Sequence, residues 1–506
     1  MKRRDFIKTP LALSTLLGAS SLSAQSPVPT MPADGAPTGT TDWQLTNIKA
    51  DAGKWPPPTA TNNAGTPKRS KAIEGYCRQQ SVEAGRKLEI CVSTDPARHF
   101  TLNIFRMGYY GGAGARLVRT IGPLKGRPQP EPPIGEMRLR ECRWEPSLSL
   151  EISPDWTSGI YIGKLACVPE TKSEHAWQNY VIFIVRDRRK ADILYQASDN
   201  TWAAYNRWPD NYSLYTDPRG GYAFDVAVSF DRPITKDPHI FNHPLSLGSG
   251  HFFLWEFPLV YWLEQHGYDV TYASNSDMID PAQFGRTKVF LSSGHDEYWD
   301  LRQYENALVS IQKGVTHLYL CGNAVHGLAP FSSSADGRSN RIITRKGRFG
   351  DYDKVGDPRR EPPPMSGPPA NKLMGAQTVY PPNGGGDWIC AKPEHWIFEG
   401  TGMKKGDGIP GLVGHEYHGD PAEIAGLEVV AEGDALHQGK QPVHWTSTIY
   451  PGPKNNFVFS ASTVWWNQGL ASPPGHILQW YHGVRCHGPD PRVRRITHNL
   501  LRRALA

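Results

Sequence analysis

No Cys-x-x-Cys pair occurs in the 506 residues, which carry seven cysteines in all, so a zinc site built on cysteine is not expected. The N-terminus offers no long apolar run. Its most apolar stretch, Leu11-Ala12-Leu13 to Leu17, is too short and too polar to cross a bilayer. Charge of one sign is scarcely in excess, with 55 Lys and Arg against 49 Asp and Glu for a formal net charge of +6. Basic residues cluster at Arg186 to Lys190 and at Arg492 to Arg503. The second cluster reads as the solvated face of a closing helix, so no nucleic-acid partner is expected. There is no internal repeat.

What is plentiful is turn-forming and aromatic residues. Fifty glycines and 44 prolines imply many turns and irregular connections, and 16 tryptophans suit sheets packed with large side chains. The length exceeds one compact core, so several domains are expected. Lys2-Arg3-Arg4-Asp5-Phe6-Ile7-Lys8 is a twin-arginine pattern, followed by small residues to Ala24. Residues 1–25 therefore read as a signal for twin-arginine export to the periplasm or beyond. That route carries folded proteins, often with a cofactor already inserted. After export no stable membrane insertion is expected. Residues 26–69 read as a Pro/Thr-rich lead-in. Cys77, Cys91, Cys142 and Cys167 fall in one block and suit two disulfides in an oxidising compartment, with three pairings open.

Residues 70–188 show short strands and turns, such as Leu102 to Met107, Gly159 to Leu165 and Tyr180 to Val185, and predict a β-sandwich. From residue 189 to 506 the pattern turns α/β. Candidate strands at Ile193 to Gln196, Tyr268 to Tyr272, Val289 to Leu291, Leu318 to Leu320 and Phe457 to Ser460 alternate with helical stretches. The helices are expected at Phe252 to Gln265, with a kink or later start at Pro258, and at Asp300 to Lys313. This predicts a mainly parallel sheet with helices on its faces, in glutamine-amidotransferase-like or Rossmann-like layering. The run Glu361-Pro362-Pro363-Pro364 breaks regular structure in the loop-rich part.

Three of these strands lead into polar and aromatic segments. They are Ser198 to Asn206 (continuing to Tyr212-Ser213-Leu214-Tyr215), Gly294-His295-Asp296-Glu297-Tyr298-Trp299, and Cys321-Gly322-Asn323-Ala324. Parallel strands would bring all three ends to one sheet edge, where α/β enzymes keep their chemistry.

These segments, with Phe105 to Gly112, make the chain resemble the large subunit of N,N-dimethylformamidase and its relatives over roughly residues 70–506. The resemblance implies a mononuclear iron, as Fe3+, held by two tyrosinates and a glutamate, and hydrolysis of a small amide. By motif, Glu297 is the carboxylate ligand, Tyr205 and Tyr215 are the phenolates, His295 is the acid/base and Asn323 is a polar contact to substrate or water. The stretch between Tyr205 and Tyr215 is shorter here than in that family, which makes Tyr212 an alternative to Tyr215. Hard phenolate and carboxylate oxygens suit ferric iron.

Two rivals remain. Zinc held through His295 and Glu297 would cleave another bond. Alternatively, the N-terminal part binds a carbohydrate or cell-wall polymer beside a non-catalytic α/β part. Asp296 and Tyr298 read as loop supports, and His326, His415 and His418 as ordinary polar residues. A homo-oligomer is left open.

Overall fold

The three strands that lead into polar segments lie side by side. In the computed structural model Thr287–Gly294 pairs in parallel with Ala191–Gln196 on one side and with Thr316–Cys321 on the other. Val270–Ala273 and Phe457–Ser460 extend the parallel set outward. Gln441–Pro451 and Glu428–His437 complete a seven-stranded sheet in antiparallel sense. The central strands are apolar along their length because both faces are covered, and Val289, Phe290, Leu291, Leu318 and Leu320 are fully buried.

The structure describes residues 38–49, 69–236, 243–350, 364–437, 441–478, 480–481 and 484–506. The twin-arginine segment, most of the lead-in and residues 361–363 of the proline run lie outside the described residues. Among the described residues no helix is long and apolar enough to cross a membrane.

The chain is a mixed α/β protein with many strands in several sheets and few helices. The expected helix from Phe252 is split into a π-helical turn, Phe252–Glu256, and the α-helix Phe257–Gln265. Pro258 sits in the first turn of that helix, where its missing N–H is not needed. Leu301–Gln312 starts at Asp300, whose carboxylate accepts the Arg302 N–H at 2.9 Å. Pro491–Leu505 closes the chain and buries Val493, Ile496, Leu500 and Leu501.

Between Glu74 and Arg186 the chain forms a three-stranded and a five-stranded sheet. One apolar core joins them, with Ile90, Val92 and Leu150 from the first and Leu102, Leu165 and Phe183 from the second. Arg106 ties this part to the helix Phe257–Gln265 through Glu264, Nη2 to Oε1 at 2.7 Å. Within the stretch read as lead-in, Trp43 is fully buried and stacks on Phe253.

The expected disulfides are not formed, for all seven cysteines are free and buried. They serve as small core groups instead. Cys77 and Cys167 belong to the core between the two sheets, while Cys91 and Cys142 pack with Tyr76, Trp144 and Trp208. The Cys91 and Cys167 thiols donate to the carbonyl oxygens of Trp144 (3.5 Å) and Ala72 (3.4 Å).

Candidate active site

Each of the three parallel strands ends at a sharp change of direction. Gly294 turns its strand out of the sheet at φ +69°, where a Cβ would press on Trp255. His295, Asp296 and Glu297 follow that turn. The strand Ala191–Gln196 runs into the short helix Asp199–Tyr205, which ends on Tyr205. The buried Glu256 carboxyl steadies the start of this helix, accepting Ser198 Oγ (2.6 Å), Trp202 Nε1 (2.7 Å) and Tyr195 OH (2.9 Å), and burial pushes its pKa up to about 7. Two further bonds lock the helix to the neighbouring segment. Glu297 N–H donates to Thr201 Oγ1 at 3.0 Å, and Asn200 Nδ2 donates to Tyr298 O at 3.0 Å.

The residues expected to bind metal do converge. Tyr205 OH donates to Glu297 Oε2 at 2.8 Å, and Tyr215 OH donates to Glu297 Oε1 at 2.6 Å. The two rings lie 4.5 Å apart. Tyr298, read as a loop support, also joins the site, since its OH donates to Tyr215 OH at 2.6 Å. Tyr212 is elsewhere, beneath the Arg138 and Arg140 guanidiniums at 4.9 and 4.6 Å, so Tyr215 and not Tyr212 is the second phenol of the cluster.

Burial, then the nearby Glu297 carboxylate, drives both Tyr205 and Tyr215 well above the ordinary phenol pKa. Without a cation these phenols keep their protons, and the protons bridge two phenol and two carboxylate oxygens into one cluster. A strongly polarising cation in their place would ionise both phenols, so the donor set fits a hard metal ion.

Beside the cluster stands a residue the sequence reading passed over. Glu416 opens the strand Glu416–Gly419, and its Oε2 lies 2.8 Å from His295 Nε2. Asn323 Nδ2 donates to the same oxygen at 2.7 Å, while its Oδ1 accepts Thr378 Oγ1 at 2.7 Å. Burial would raise the Glu416 pKa, but the neighbouring His295, then His415, outweigh it and hold the carboxyl well below the usual range. For His295 burial would lower the pKa, and Glu416 outweighs it and raises it. The two form an imidazolium–carboxylate pair. His295 Nε2 also lies 3.4 Å from Glu297 Oε2, which joins the pair to the phenol cluster.

His415, read as an ordinary polar residue, belongs here too. Donor atoms of His295, His415 and Glu416 lie within 4.8 Å of one another and could hold a metal. His418 is spent elsewhere, accepting the Ala324 N–H at Nε2 (3.0 Å) with Nδ1 against Ser460 Oγ (3.3 Å). Asp296 accepts Ser292 Oγ (2.8 Å) and Asn275 Nδ2 (3.0 Å) beneath the turn, with burial pushing its pKa up to about 6. The one sequence signal for Glu416 was the acid inside His415-Glu416-Tyr417-His418, which the His-x-x-His spacing hid.

The cluster opens into a cleft of about 240 Å³ whose lining includes Tyr205, Tyr215, Glu297, Asn323 and Glu416. A family described as N,N-dimethylformamidase beta subunit-like, C-terminal, matches residues 101–480. No curated protein matches the chain. Among solved structures the chain is similar to a family 123 glycoside hydrolase from Clostridium perfringens, described for glycolipid glycan hydrolysis, at 10% identity and a TM-score of 0.11. That match covers 55% of this chain and 49% of the other, so the chain spans about half the length of that structure. A likeness this slight carries no argument.

Proposed function

Because the chain belongs to the N,N-dimethylformamidase beta subunit-like family, we propose that it is an iron-dependent hydrolase of small non-peptide amides. The observation that carries this reading is the meeting of Tyr205, Tyr215 and Glu297 through oxygens 2.6–2.8 Å apart, beside the His295–Glu416 pair. Tyr205, Tyr215 and Glu297 would hold the iron, which supplies Lewis acidity towards an amide carbonyl and water.

The rest of the chemistry belongs to the chain. Glu416, ionised beside His295, holds the imidazolium in place through Oε2. His295 donates its Nε2 proton to the departing amine nitrogen. Asn323 donates an amide N–H to Glu416 Oε2 and so fixes the carboxylate that positions His295. Burial of His295, Glu297 and Glu416, each exposed by 7% or less, strengthens every charge–charge contact among them. The protein would leave by twin-arginine export with its metal inserted beforehand and act outside the cytoplasm.

Metal analysis, visible absorption and an amide panel test this reading together. The expected protein binds iron, shows a tyrosinate-to-iron absorption band and hydrolyses small amides. Glu297→Ala and Tyr205→Phe should each lose the band and the activity, while Tyr212→Phe keeps both. The convergence of His295, His415 and Glu416 favours one rival, a zinc enzyme acting on another bond. A colourless, zinc-loaded protein inert on amides would establish that rival instead.

A further inference from the structure

The chain from Asn206 to Tyr215 forms neither strand nor helix. Irregular backbone of this kind has no hydrogen-bond ladder of its own to fix where its two ends lie. Yet the rings of Tyr205 and Tyr215, at either end of it, stand 4.5 Å apart and both hydroxyls reach Glu297. The segment is held from outside.

One guanidinium supplies most of that hold. Arg232 lies just beyond the strand Val226–Ser229 and is 2% exposed. All five of its N–H groups donate to main-chain carbonyls. Nε meets Ser229 O at 3.0 Å, Nη1 meets Trp208 O (2.9 Å) and Tyr212 O (2.8 Å), and Nη2 meets Ala203 O (3.1 Å) and Asn206 O (3.0 Å). Ala203 and Asn206 bracket Tyr205 at the end of its helix, while Trp208 and Tyr212 lie on the way to Tyr215. At the far end the Leu214 carbonyl accepts Arg345 Nη2 at 2.7 Å, and the Leu214 N–H donates to Ala204 O at 2.9 Å.

An ion pair does not explain this arginine. Among the described residues no carboxylate lies within ion-pair distance of it, and burial pulls its pKa down to about 9, so it is still charged at neutral pH. A charge buried in this way is costly unless its donors are met. Four of the five carbonyls that meet them belong to the two segments that bear the phenols. A lysine, with three donors on one nitrogen, could serve only part of that fan.

From this arrangement we infer that Arg232 is the positioning residue that sets the separation of Tyr205 and Tyr215, holding the two phenols in place before a metal arrives. The inference rests on the iron reading above and adds how the ligand set is prepared. Binding a cation then orders no further chain.

The test uses full-length metal-free protein, with ferric iron supplied as its citrate complex. Arg232→Met and Arg232→Lys are compared with Leu165→Ala, a control in the core between the N-terminal sheets. Arg232→Met weakens iron binding by about tenfold or more and alters the tyrosinate-to-iron band, and Arg232→Lys restores part of both. Leu165→Ala lowers the thermal midpoint but keeps wild-type affinity and band. In hydrogen exchange without metal, residues 206–215 are protected in the wild type and open in Arg232→Met, while Thr287–Gly294 stays closed in both. Wild-type affinity and band in Arg232→Met overturn the inference, as do equal losses in Leu165→Ala. If neither Arg232 variant folds, exchange in the wild type decides. Protection of 206–215 matching that of Thr287–Gly294 sustains the clamp, and free exchange there overturns it. If the wild-type protein takes up no iron, the iron reading has failed, and exchange alone decides this one. Selective opening of 206–215 in Arg232→Met then sustains the clamp, and its absence removes it.

Discussion

His295 Nε2 lies 2.8 Å from Glu416 Oε2, although the two residues belong to elements that are not paired in any sheet. One follows the turn at Gly294, and the other opens a strand paired with Gln377–Asn383. Replacing Glu416 with Gln keeps the shape and a hydrogen bond but removes the charge. We expect kcat on the best amide to fall by roughly a hundredfold or more, with the midpoint of thermal unfolding little changed. Stopped assays and calorimetry on the same preparation separate loss of chemistry from loss of fold.

Gly322 holds Asn323 and Glu416 together by its lack of a side chain. A Cβ there would lie 2.3 Å from Glu416 O and 2.6 Å from Val464 N, both main-chain atoms that move only with the strand Glu416–Gly419 and the 3-10 helix Val464–Gly469. Gly322→Ala should cost about 1–3 kcal/mol in stability and displace Glu416 from Asn323. Denaturant titration reads the first effect, and a drop in kcat in the refolded protein reads the second.

Asp231 is fully buried between Arg338 and Arg341, with 2.8 Å contacts to each. The same arginines donate to Arg78 O (2.9 Å) and Cys77 O (3.1 Å), so the carboxylate fastens the N-terminal sheets to the rest of the chain. Asp231→Ala leaves Arg341 without its carboxylate and Arg338 with Asp336 alone, and should cost about 3–5 kcal/mol in urea unfolding. Asp336→Ala, where the carboxylate side chain is 41% exposed, should cost under about 1 kcal/mol.

His317 sits fully buried in a parallel strand, between Ser310 Oγ (2.7 Å) and Tyr319 OH (3.1 Å). Burial lowers its pKa from 6.5 to about 3, so the folded ring stays neutral while the unfolded one takes up a proton. Its contribution to stability is therefore complete above about pH 6.5 and lost as pH falls towards 3, on the order of 1 kcal/mol per pH unit. Unfolding free energies measured between pH 7 and 4 should show this slope, and His317→Gln should flatten it. A stability independent of pH over that range would contradict the assignment.

The parallel core was legible in the sequence for a local reason. Val289-Phe290-Leu291 and Leu318-Tyr319-Leu320 are short apolar runs ending in glycine, which is what a strand buried on both faces requires. The helix expected at Asp300 to Lys313 was legible through its Gly314 stop, and Asp300 proves to be its cap. The π-helical turn before Phe257 was not, because apolar periodicity does not distinguish it from the α-helix that follows.

By itself the sequence determined which residue types stand at the strand ends, because the local rules for strands and turns depend on near neighbours. It therefore placed His295, Glu297 and Asn323 at one edge and brought Tyr205 into view. Only the tertiary structure decided that Tyr215 rather than Tyr212 reaches Glu297, that Glu416 faces His295, and that Arg232 gathers the main chain between the two phenols. The bare cysteine count was equally silent about pairing, and all seven thiols are free and buried. In each case the deciding quantity is where distant segments of chain come to rest. That is set by burial and strand register across the whole molecule, and spacing along the chain carries no trace of it.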